Sequence, residues 1–461
     1  MRFGLLALLL LNGCGVRLFF PDPDVEYETG PDVFSEPVAH IGDDWLFSSA
    51  RINRIDVEIG EASMEILRAE RIASYPRNSV RASAVIDGED VGEIGVRLRG
   101  GIGSFSTIDR KPKLELDLND YSGERFYGLE SLSLNNMRSD CSGIRETIVY
   151  AAYGLAGLAT SRTGYAQLFV NGHDYGLMLV LETQDDRWLA QNFADGDGNF
   201  YDGKYVFAGM WPILVDFGLG RDHWFDLEEG DGADFADIEQ ISEGVLRAEA
   251  SGRIDVELQS LVDWEQVMTA LRVEEWTGNG DGYASGPNNY RVYFEPDQPL
   301  VLTPWDVDGS LQTEGFFGGD GNDTGGGVGQ VRINTSRYEN PAGALGRVCL
   351  DDPGCLAIWE EMGPLVEEQL MDGTLYDLAV EASDLIRKGR IKDPRTECTA
   401  KDFDSETAVL LDYLETGEFI DTSGLDDDED QADCNQTGSR PPRGVLWLSL
   451  VLLGLVRRRS R

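Results

Sequence analysis

The sequence predicts an α+β fold with a strand-rich N-terminal part and a helix-rich C-terminal part. In residues 52–60 and 80–99, apolar and polar residues alternate, which is typical of half-buried strands. In residues 263–276 and 358–387, apolar residues recur at helical spacing instead. A chain of 461 residues with 41% hydrophobic residues can bury a large core, so we expect one large or two coupled domains.

Short turn sequences place the first elements. The run 80–99 is divided by "DGED", and Asn171-Gly172 joins two β-rich runs, so each position predicts a hairpin. Between them, apolar residues recur at helical spacing from Ile144 onward, and Ser142 is available as the N-cap. The first half is therefore predicted to be mostly strands.

The N-terminus carries a targeting pattern. Residues 3–11 are apolar, and "LNGC" then places Cys14 after Leu-x-Gly. This is similar to the lipobox, where a bacterial signal peptidase cuts and the new N-terminal Cys is lipidated. We therefore expect residues 1–14 to be a lipoprotein signal peptide and Cys14 to be the lipidated residue. The Pro- and Asp-rich stretch within residues 15–40 is expected to be a tether.

The C-terminus carries a second targeting pattern. Cys434 is followed by a polar spacer, an apolar run at 444–456 and "RRRSR". This order is similar to sorting tails of the MYXO-CTERM type, so residues 434–461 are predicted to be such a tail, preceded by an acidic extension or linker at 391–433. A short anchor is the alternative, although the run is short for a bilayer span of roughly 20 residues.

These two patterns predict where the protein works. We expect it outside the cytoplasm, at the cell envelope as an outer-membrane lipoprotein or at the cell surface. Its N-terminal lipid would attach it to the membrane.

The remaining cysteines fit an oxidising compartment. Cys141, Cys349, Cys355 and Cys398 are an even number and lack the CxxC spacing of a zinc site, so two disulfides are predicted. Cys349 and Cys355 flank the turn-forming "LDDPG", which favours pairing them with each other and Cys141 with Cys398. The sequence leaves the other two pairings open.

The charge balance argues against one class of partner. The chain has 39 Lys and Arg against 83 Asp and Glu, a formal net charge of −44. Such a surface repels polyphosphate backbones, so we expect no nucleic-acid partner. A smaller phosphate ligand would need a local basic pocket or bound cations.

Several common catalytic motifs are missing from the sequence. Its three histidines lie outside any HExxH motif, and it contains neither a Gly-x-Ser-x-Gly elbow nor a GxxxxGK[ST] loop. The sequence therefore argues against a zinc protease, a serine hydrolase and a P-loop nucleotide site.

A set of acidic and amide side chains lies in the second half. Asp281, Asn288, Asn289, Asp306 and Asp308 offer only hard oxygen ligands, which Mg²⁺ and Mn²⁺ prefer. Their charge is too low to hold Mg²⁺ without a phosphate group, so a divalent ion shared with a nucleotide fits them best. The alternative is that these residues only form turns, as Asp and Asn commonly do.

The predicted geometry brings these residues together. If residues 290–294 and 300–304 pair through the turn "EPDQ", the loop before the first strand and the loop after the second lie at the same end of the hairpin. Asp281, Asn288 and Asp306 then converge. Protein kinases use the same plan, with a catalytic-loop Asp, an Asn ligand, and a second metal-binding Asp after a short hairpin.

An ordered set of motifs resembles the spore coat protein H (CotH) kinase-like family. The motifs are "GVRLRG" at 95–100, "RKPKLEL" at 110–116, "LFVNGHDYGLMLVLET" at 168–183, the "DGY" loop with "NNYRVY", and "TPWDVD" at 303–308. They stand in the family's order and spacing. The resemblance covers about residues 41–390 and implies an atypical protein-kinase-like fold that binds ATP with Mg²⁺ or Mn²⁺ and phosphorylates protein Ser or Thr.

The resemblance also implies roles for single residues. Asp281 would be the catalytic-loop acid and base, and Asn288 or Asn289 would be a metal ligand. Asp306 would be the metal-binding Asp of the DFG-like position, and Asp308 is a further candidate for the metal.

The positive groups are expected from the strand-rich first half. Arg99, Lys111 and Lys113 lie in the matching motifs, and one of the two lysines is expected to bind the ATP phosphates. Glu182 ends the second β-rich run and is a candidate to orient a basic group or bind metal. Exposed strand charges are the alternative for the two lysines.

Two functions follow from this sequence. The first is an extracytoplasmic kinase that transfers the γ-phosphate of ATP to Ser or Thr of surface or secreted proteins. The second is a non-catalytic surface lipoprotein that keeps the fold for adhesion or for assembly of an outer layer. Gly280 stands where the family usually has Trp, and this departure keeps the second function open.

Overall fold

A closed barrel of seven strands forms the first part of the protein. This computed structural model describes residues 27, 29–36, 40–72, 74, 76–101, 104–138, 140–203, 206–208, 211–313 and 330–423. The predicted signal peptide with Cys14 and the predicted sorting tail lie outside these residues. The presence of both strands and helices confirms the α+β class.

Strands dominate up to residue 229 and helices dominate afterwards, which is consistent with the predicted division. The strands are β1 (Ile52–Ile59), β2 (Ser79–Ile86), β3 (Glu89–Arg99), β4 (Lys113–Asp117), β5 (Ser131–Asn135), β6 (Thr163–Val170), β7 (His173–Glu182), β8 (Asn199–Gly203), β9 (Val206–Ala208), β10 (Trp211–Ile213), β11 (Asp226–Glu229), β12 (Tyr290–Phe294), β13 (Val301–Pro304), β14 (Arg332–Ile333) and β15 (Ile420–Asp421). The helices are α1 (Glu61–Ala69), α2 (Arg145–Leu155), α3 (Asp186–Asn192), α4 (Ala236–Ser251), α5 (Val256–Leu261), α6 (Trp264–Thr277), α7 (Ser336–Glu339), α8 (Ala344–Asp351), α9 (Pro353–Leu370), α10 (Thr374–Lys392) and α11 (Ala400–Thr416).

One parallel strand pair closes the barrel. The strand order is β1-β2-β3-β4-β5-β7-β6, with β1 parallel to β6 and the other neighbours antiparallel. The two predicted hairpins are confirmed, because Asp87-Gly88 joins β2 to β3 and Asn171-Gly172 joins β6 to β7. Their φ angles are 50° and 84°, and 51° and 74°, and a type I′ turn requires positive φ at both positions.

Strand β7 contributes to two hydrophobic cores. Met178 and Val180 belong to the barrel core, whereas Leu177, Leu179 and Leu181 belong to a second core that includes residues of α2, α6, α9 and α10. A strand that is covered on both faces is apolar at successive positions, which explains the run "GLMLVL". The wall of the barrel is therefore also part of the helical core.

A second sheet carries the hairpin that was predicted to build the site. Its strand order is β11-β8-β12-β13, and β12 pairs antiparallel with β13, with Tyr290 opposite Pro304. The predicted hairpin is confirmed. Its register places the loop before β12 beside the segment after β13, where the Trp305 N–H donates to the Asn289 carbonyl at 3.3 Å.

The start of α2 differs from the prediction. The helix begins at Arg145, and the Ser142 hydroxyl does not cap it. Instead, the Asp140 carboxylate accepts the N–H groups of Gly143 at 2.8 Å and Arg145 at 2.9 Å, and the Ser142 hydroxyl itself donates to Asp140. A carboxylate is the stronger acceptor of backbone N–H groups, so it takes the place predicted for the hydroxyl.

The folded part extends beyond the predicted limits of 41–390. Residues 29–36, expected to lie in the tether, bind the barrel, where the Ser35 N–H donates to the Ile52 carbonyl at 2.7 Å. At the other end, α11 packs on α10 inside the segment that its acidic composition indicated as a linker. On α11, Phe403, Leu410 and Leu414 are buried, whereas Asp404, Asp412 and Glu415 are exposed.

Within the described part of the chain, no helix is long and apolar enough to cross a bilayer. The apolar run at 444–456 lies outside that part.

Both predicted disulfides are confirmed. Cys141–Cys398 joins the segment before α2 to the segment before α11 across 257 residues of sequence. Cys349–Cys355 joins α8 to the first turn of α9 across 6 residues. The two bonds therefore constrain the unfolded chain to very different extents.

Replacing the Cys141–Cys398 pair with serines should destabilise the protein more than replacing the Cys349–Cys355 pair. From loop-closure entropy alone, the expected losses in free energy of unfolding are ~5 and ~2 kcal/mol, because the first bond closes the far longer loop. Urea unfolding of the two double-serine variants measures the difference. Equal losses would show that loop entropy does not govern their stability.

Candidate active site

A buried lysine from the barrel lies between two carboxylates from the second sheet. Lys113 begins β4, and its Nζ lies 2.9 Å from Asp306 Oδ1 and 2.8 Å from Asp308 Oδ2. Burial lowers the pKa of Lys113, but the attraction of the two carboxylates outweighs burial and raises it above its ordinary value. Lys113 therefore stays charged.

The two carboxylates respond differently to the same lysine. Burial raises the pKa of Asp306, but Lys113 outweighs it and holds this pKa below its ordinary value. The pKa of Asp308 is raised, because burial and repulsion by Asp306 exceed the attraction of Lys113.

A tight backbone turn after β13 presents Asp306 and Asp308. Asp306 has φ 45° and ψ 60°, a left-handed conformation that few non-glycine residues adopt. Gly309 follows and lies against the loop of Asp281, because a Cβ atom on it would be 3.0 Å from Asn279 Oδ1 and 3.1 Å from Asp281 Cβ. The Gly280 N–H also donates to the Gly309 carbonyl at 3.2 Å, which fixes the two segments together.

Asp281 lies in that loop, held by amide side chains. Asn289 Nδ2 donates to Asp281 Oδ2 at 3.0 Å, Asn288 also hydrogen bonds to this carboxylate, and the Asp281 N–H donates to Asn279 Oδ1 at 3.1 Å. Burial, together with repulsion by the carboxylates of Asp306 and Asp308, raises the pKa of Asp281 to about 6. A carboxylate with such a pKa can take up a proton near neutral pH.

The Glu274 carboxylate binds the backbone of the Asp281 loop. The sequence did not indicate this role. Glu274 lies in the last turn of α6, where its carboxylate accepts the N–H groups of Tyr283 at 3.1 Å and Ala284 at 2.8 Å. Burial raises the pKa of Glu274 to about 8. Gly282 permits this approach, because a Cβ atom there would be 2.5 Å from Glu274 Oε1.

The sequence also did not indicate that Glu146 lies beside Lys113. Glu146 lies in the first turn of α2, is 4% exposed, and accepts a hydrogen bond from Asn135 Nδ2 at 2.6 Å. Burial raises the pKa of Glu146 to about 8, although Lys113 attracts it. An acid on a helix that faces the site lysine is the arrangement in which protein kinases pair their Lys and Glu.

Arg99 contacts Trp305, Ser133 and Glu115 and lies outside the group formed by Lys113, Asp306 and Asp308. Its guanidinium lies 5.0 Å from the ring centre of Trp305, and Arg291 covers the same ring at 3.9 Å. Arg99 also donates to Ser133 and lies 3.5 Å from the carboxylate of Glu115. It still lowers the pKa of Asp306 through its charge.

The structure separates the two lysines that the sequence left as alternatives. Both are buried, so the exposed-charge alternative is wrong. Lys113 lies with Asp306 and Asp308, whereas Lys111 pairs with Asp393 beyond α10, and burial lowers the pKa of Lys111 to about 8. Lys111 therefore contacts the chain after α10 instead of the converging carboxylates.

Glu182 also lies apart from the converging carboxylates. Arg162 Nε donates to it at 2.9 Å, and Arg187 lies 3.6 Å from it. One of its two predicted roles was to orient a basic group, and here that group is Arg162. Both carboxylate oxygens of Glu182 accept hydrogen bonds from this arginine.

The donor set fits a hard divalent cation. Asp306 and Asp308 supply carboxylate oxygens, and their side chains remain 30% and 24% exposed, so solvent can reach them. Asn288 and Asn289 carry amide oxygens, and their side chains hydrogen bond to the Asp281 carboxylate nearby. Oxygen ligands of this kind suit Mg²⁺ and Mn²⁺.

Comparison with known proteins identifies one family. The family described as CotH kinase protein matches residues 96–415, which is more than half of the chain. No curated protein sequence matches at a significant level.

One solved structure with some similarity is the Shewanella oneidensis MR-1 toxin antitoxin system HipA, HipB and operator DNA complex. It shares 15% sequence identity over 69% of this chain and 66% of that chain, just under two thirds of the latter, with a TM-score of 0.30. A TM-score this low does not establish a shared fold.

Replacing Glu274 with Gln should flatten the dependence of stability on pH. The pKa of Glu274 is about 8 in the folded protein against an ordinary 4.5, so its stabilising contribution is complete below pH 4.5 and is lost as the pH rises through 8. A glutamine does not titrate. Urea unfolding at pH 5 and pH 8 should therefore show a larger fall in wild type than in E274Q.

The exposed Glu265 on the same helix provides the matched control. E265Q should keep the pH dependence of the wild-type protein. An equal fall in E274Q and wild type would show that Glu274 is ionised in the folded state throughout this range.

Proposed function

The chain belongs to the CotH kinase protein family, and from this membership we propose that it is an extracytoplasmic protein kinase. It binds ATP with Mg²⁺ or Mn²⁺ and transfers the γ-phosphate to Ser or Thr of a surface or secreted protein. The observation that carries the proposal is the meeting of Lys113, Asp306 and Asp308 beside the Asp281 loop.

Lys113 binds the phosphates of ATP in this proposal. A triphosphate needs a fixed positive group, and Lys113 is the charged lysine at the converging carboxylates. The pocket beside it is lined by Lys113, Glu146 and Asp308, together with Arg138 and Arg145. Glu146 then holds the lysine in place, as the acid on the corresponding helix does in protein kinases.

Asp281 accepts the proton of the acceptor hydroxyl. As the acceptor oxygen forms its bond to the γ-phosphorus, the bond from that phosphorus to the bridging oxygen of ATP breaks, and ADP leaves. Asn289 and Asn279 hold the Asp281 carboxylate and its backbone in a fixed orientation.

Asp306, Asp308 and one of Asn288 and Asn289 would hold the divalent cation. When bound, the cation supplies positive charge that neutralises the phosphate oxygens. The carboxylates reach it from a rigid turn whose backbone is fixed to the Asp281 loop, so the two parts of the site keep their spacing.

The place of action is part of the proposal. The lipobox-like sequence at Cys14 supports attachment to the outer face of a membrane, and the two disulfides fit an oxidising compartment. The acidic composition supports a protein substrate rather than a nucleic acid.

Metal-dependent ATP binding should be weaker in D306N than in wild type. Calorimetric titration of ATP into the wild-type protein with Mg²⁺ or Mn²⁺ should show saturable binding that requires the metal. In D306N, one of the carboxylates that hold the cation is gone, so we expect at least a tenfold weaker affinity, about 1.4 kcal/mol. D281N should keep binding, because its carboxylate acts on the acceptor hydroxyl.

The exposed Asp197 offers a matched control for charge removal, and D197N should bind as wild type does. Circular dichroism should show that each variant is folded. A folded wild-type protein that binds no ATP with either metal would contradict the kinase proposal and favour a non-catalytic surface lipoprotein for adhesion or outer-layer assembly.

A further inference from the structure

The Lys113 ammonium group occupies the space between two proposed cation ligands. Its nitrogen is within 3 Å of an oxygen of each carboxylate, at 2.9 Å from Asp306 and 2.8 Å from Asp308, and its side chain is only 4% exposed. An ammonium in this position donates hydrogen bonds to both carboxylates and neutralises them. It therefore occupies one oxygen of each carboxylate and neutralises the negative charge that would attract a divalent cation.

Lys113 is also the countercharge on which these carboxylates depend. Across the described ranges, no other Lys, Arg or His nitrogen lies within 4 Å of Asp306 or Asp308. The nearby guanidinium of Arg99 is engaged by Ser133 and Glu115. A cation that approaches without a nucleotide therefore meets two carboxylates whose charge Lys113 already neutralises.

We propose that Lys113 is a built-in competitor of the divalent cation, which blocks the cation site until nucleotide phosphate draws the lysine away. Cation and nucleotide then bind with positive cooperativity, and the cation alone binds weakly. The cooperativity rests on the proposed ATP binding, whereas the competition between Lys113 and the cation does not.

Two groups can receive the lysine when it leaves the carboxylates. The first is Glu146, which interacts with Lys113 electrostatically and makes no ion pair among the described residues. The phosphates of a nucleotide are the second. Lys113 between Glu146 and a phosphate keeps a countercharge, while Asp306 and Asp308 become available to the cation.

Thermodynamic linkage requires the coupling between cation and nucleotide to be equal in both directions. If nucleotide raises the affinity for the cation by some factor, the cation raises the affinity for nucleotide by the same factor. Couplings between two sites in proteins typically amount to a factor of about 5 to 150. The wild-type protein should fall in this range.

The test uses Mn²⁺ alone as the probe, because free Mn²⁺ can be counted by electron paramagnetic resonance. The full chain is titrated with MnCl₂ without nucleotide, as wild type and as K113M. Removing the ammonium frees both carboxylates, so K113M should bind Mn²⁺ about tenfold more tightly than wild type does. ATP should raise the Mn²⁺ affinity of wild type but no longer that of K113M.

Two further variants serve as controls for the charge and the position of the lysine. K113R keeps a cation between the carboxylates and should bind Mn²⁺ as weakly as wild type. K111M removes the other buried lysine of this segment, which pairs with Asp393 instead, and should leave Mn²⁺ affinity unchanged. The wild-type coupling between Mn²⁺ and ATP tests the proposal even if K113M does not fold.

The outcomes separate this inference from the proposed function. Unchanged or weaker Mn²⁺ binding in folded K113M would overturn the competition, even if wild type binds ATP. Tighter Mn²⁺ binding in K113M with no ATP binding in wild type would support the competition and overturn the kinase proposal. Independent binding of Mn²⁺ and ATP to wild type would overturn the cooperativity.

Discussion

The ion pairs of Lys113 with Asp306 and Asp308 are the interaction on which the site depends. They join a strand of the barrel to the turn after β13, so charges from distant parts of the sequence meet in one buried place. Buried charges are costly unless they are paired, so this pairing links β4 of the barrel to the turn after β13 while no nucleotide is bound. Burial, together with repulsion by Asp306 and Asp308, raises the pKa of both Glu146 and Asp281.

The surrounding fold keeps these charged side chains in fixed positions relative to one another. Strand β7 takes part in the barrel core and the helical core, so the barrel cannot shift without disturbing the packing of both. The guanidinium groups of Arg99 on β3 and Arg291 on β12 both lie against the ring of Trp305, the residue before Asp306. Glu274 performs the corresponding task for the Asp281 loop by binding its backbone.

Local signals were sufficient for much of this structure. The turns at Asp87-Gly88 and Asn171-Gly172 and the β12–β13 hairpin follow from short sequence patterns, and the hairpin brings Asp281 and Asp306 together. Glu274 and Glu146 could not be found in this way. An acidic residue on a helix is usually exposed, and only the packing of other elements shows that these two are buried.

Non-local contacts also decided between the two lysines. Lys111 and Lys113 are two residues apart, yet one pairs with a residue 282 positions away and the other with one 193 positions away. Residue spacing carries no information about which carboxylate lies opposite. The same limit applies to α11, whose acidic sequence hides a buried apolar side.

The parallel pair of β1 and β6 has a consequence for how the chain folds. The barrel closes only when Ile52 of β1 pairs with Tyr165 of β6. Strand β1 therefore lacks this partner until most of the barrel strands are present. At roughly 5–20 residues per second, ribosomal synthesis leaves one edge of β1 without its partner for about ten seconds. During that interval the unpaired edge is open to association with other chains, so early binding by a chaperone would protect the newly made protein.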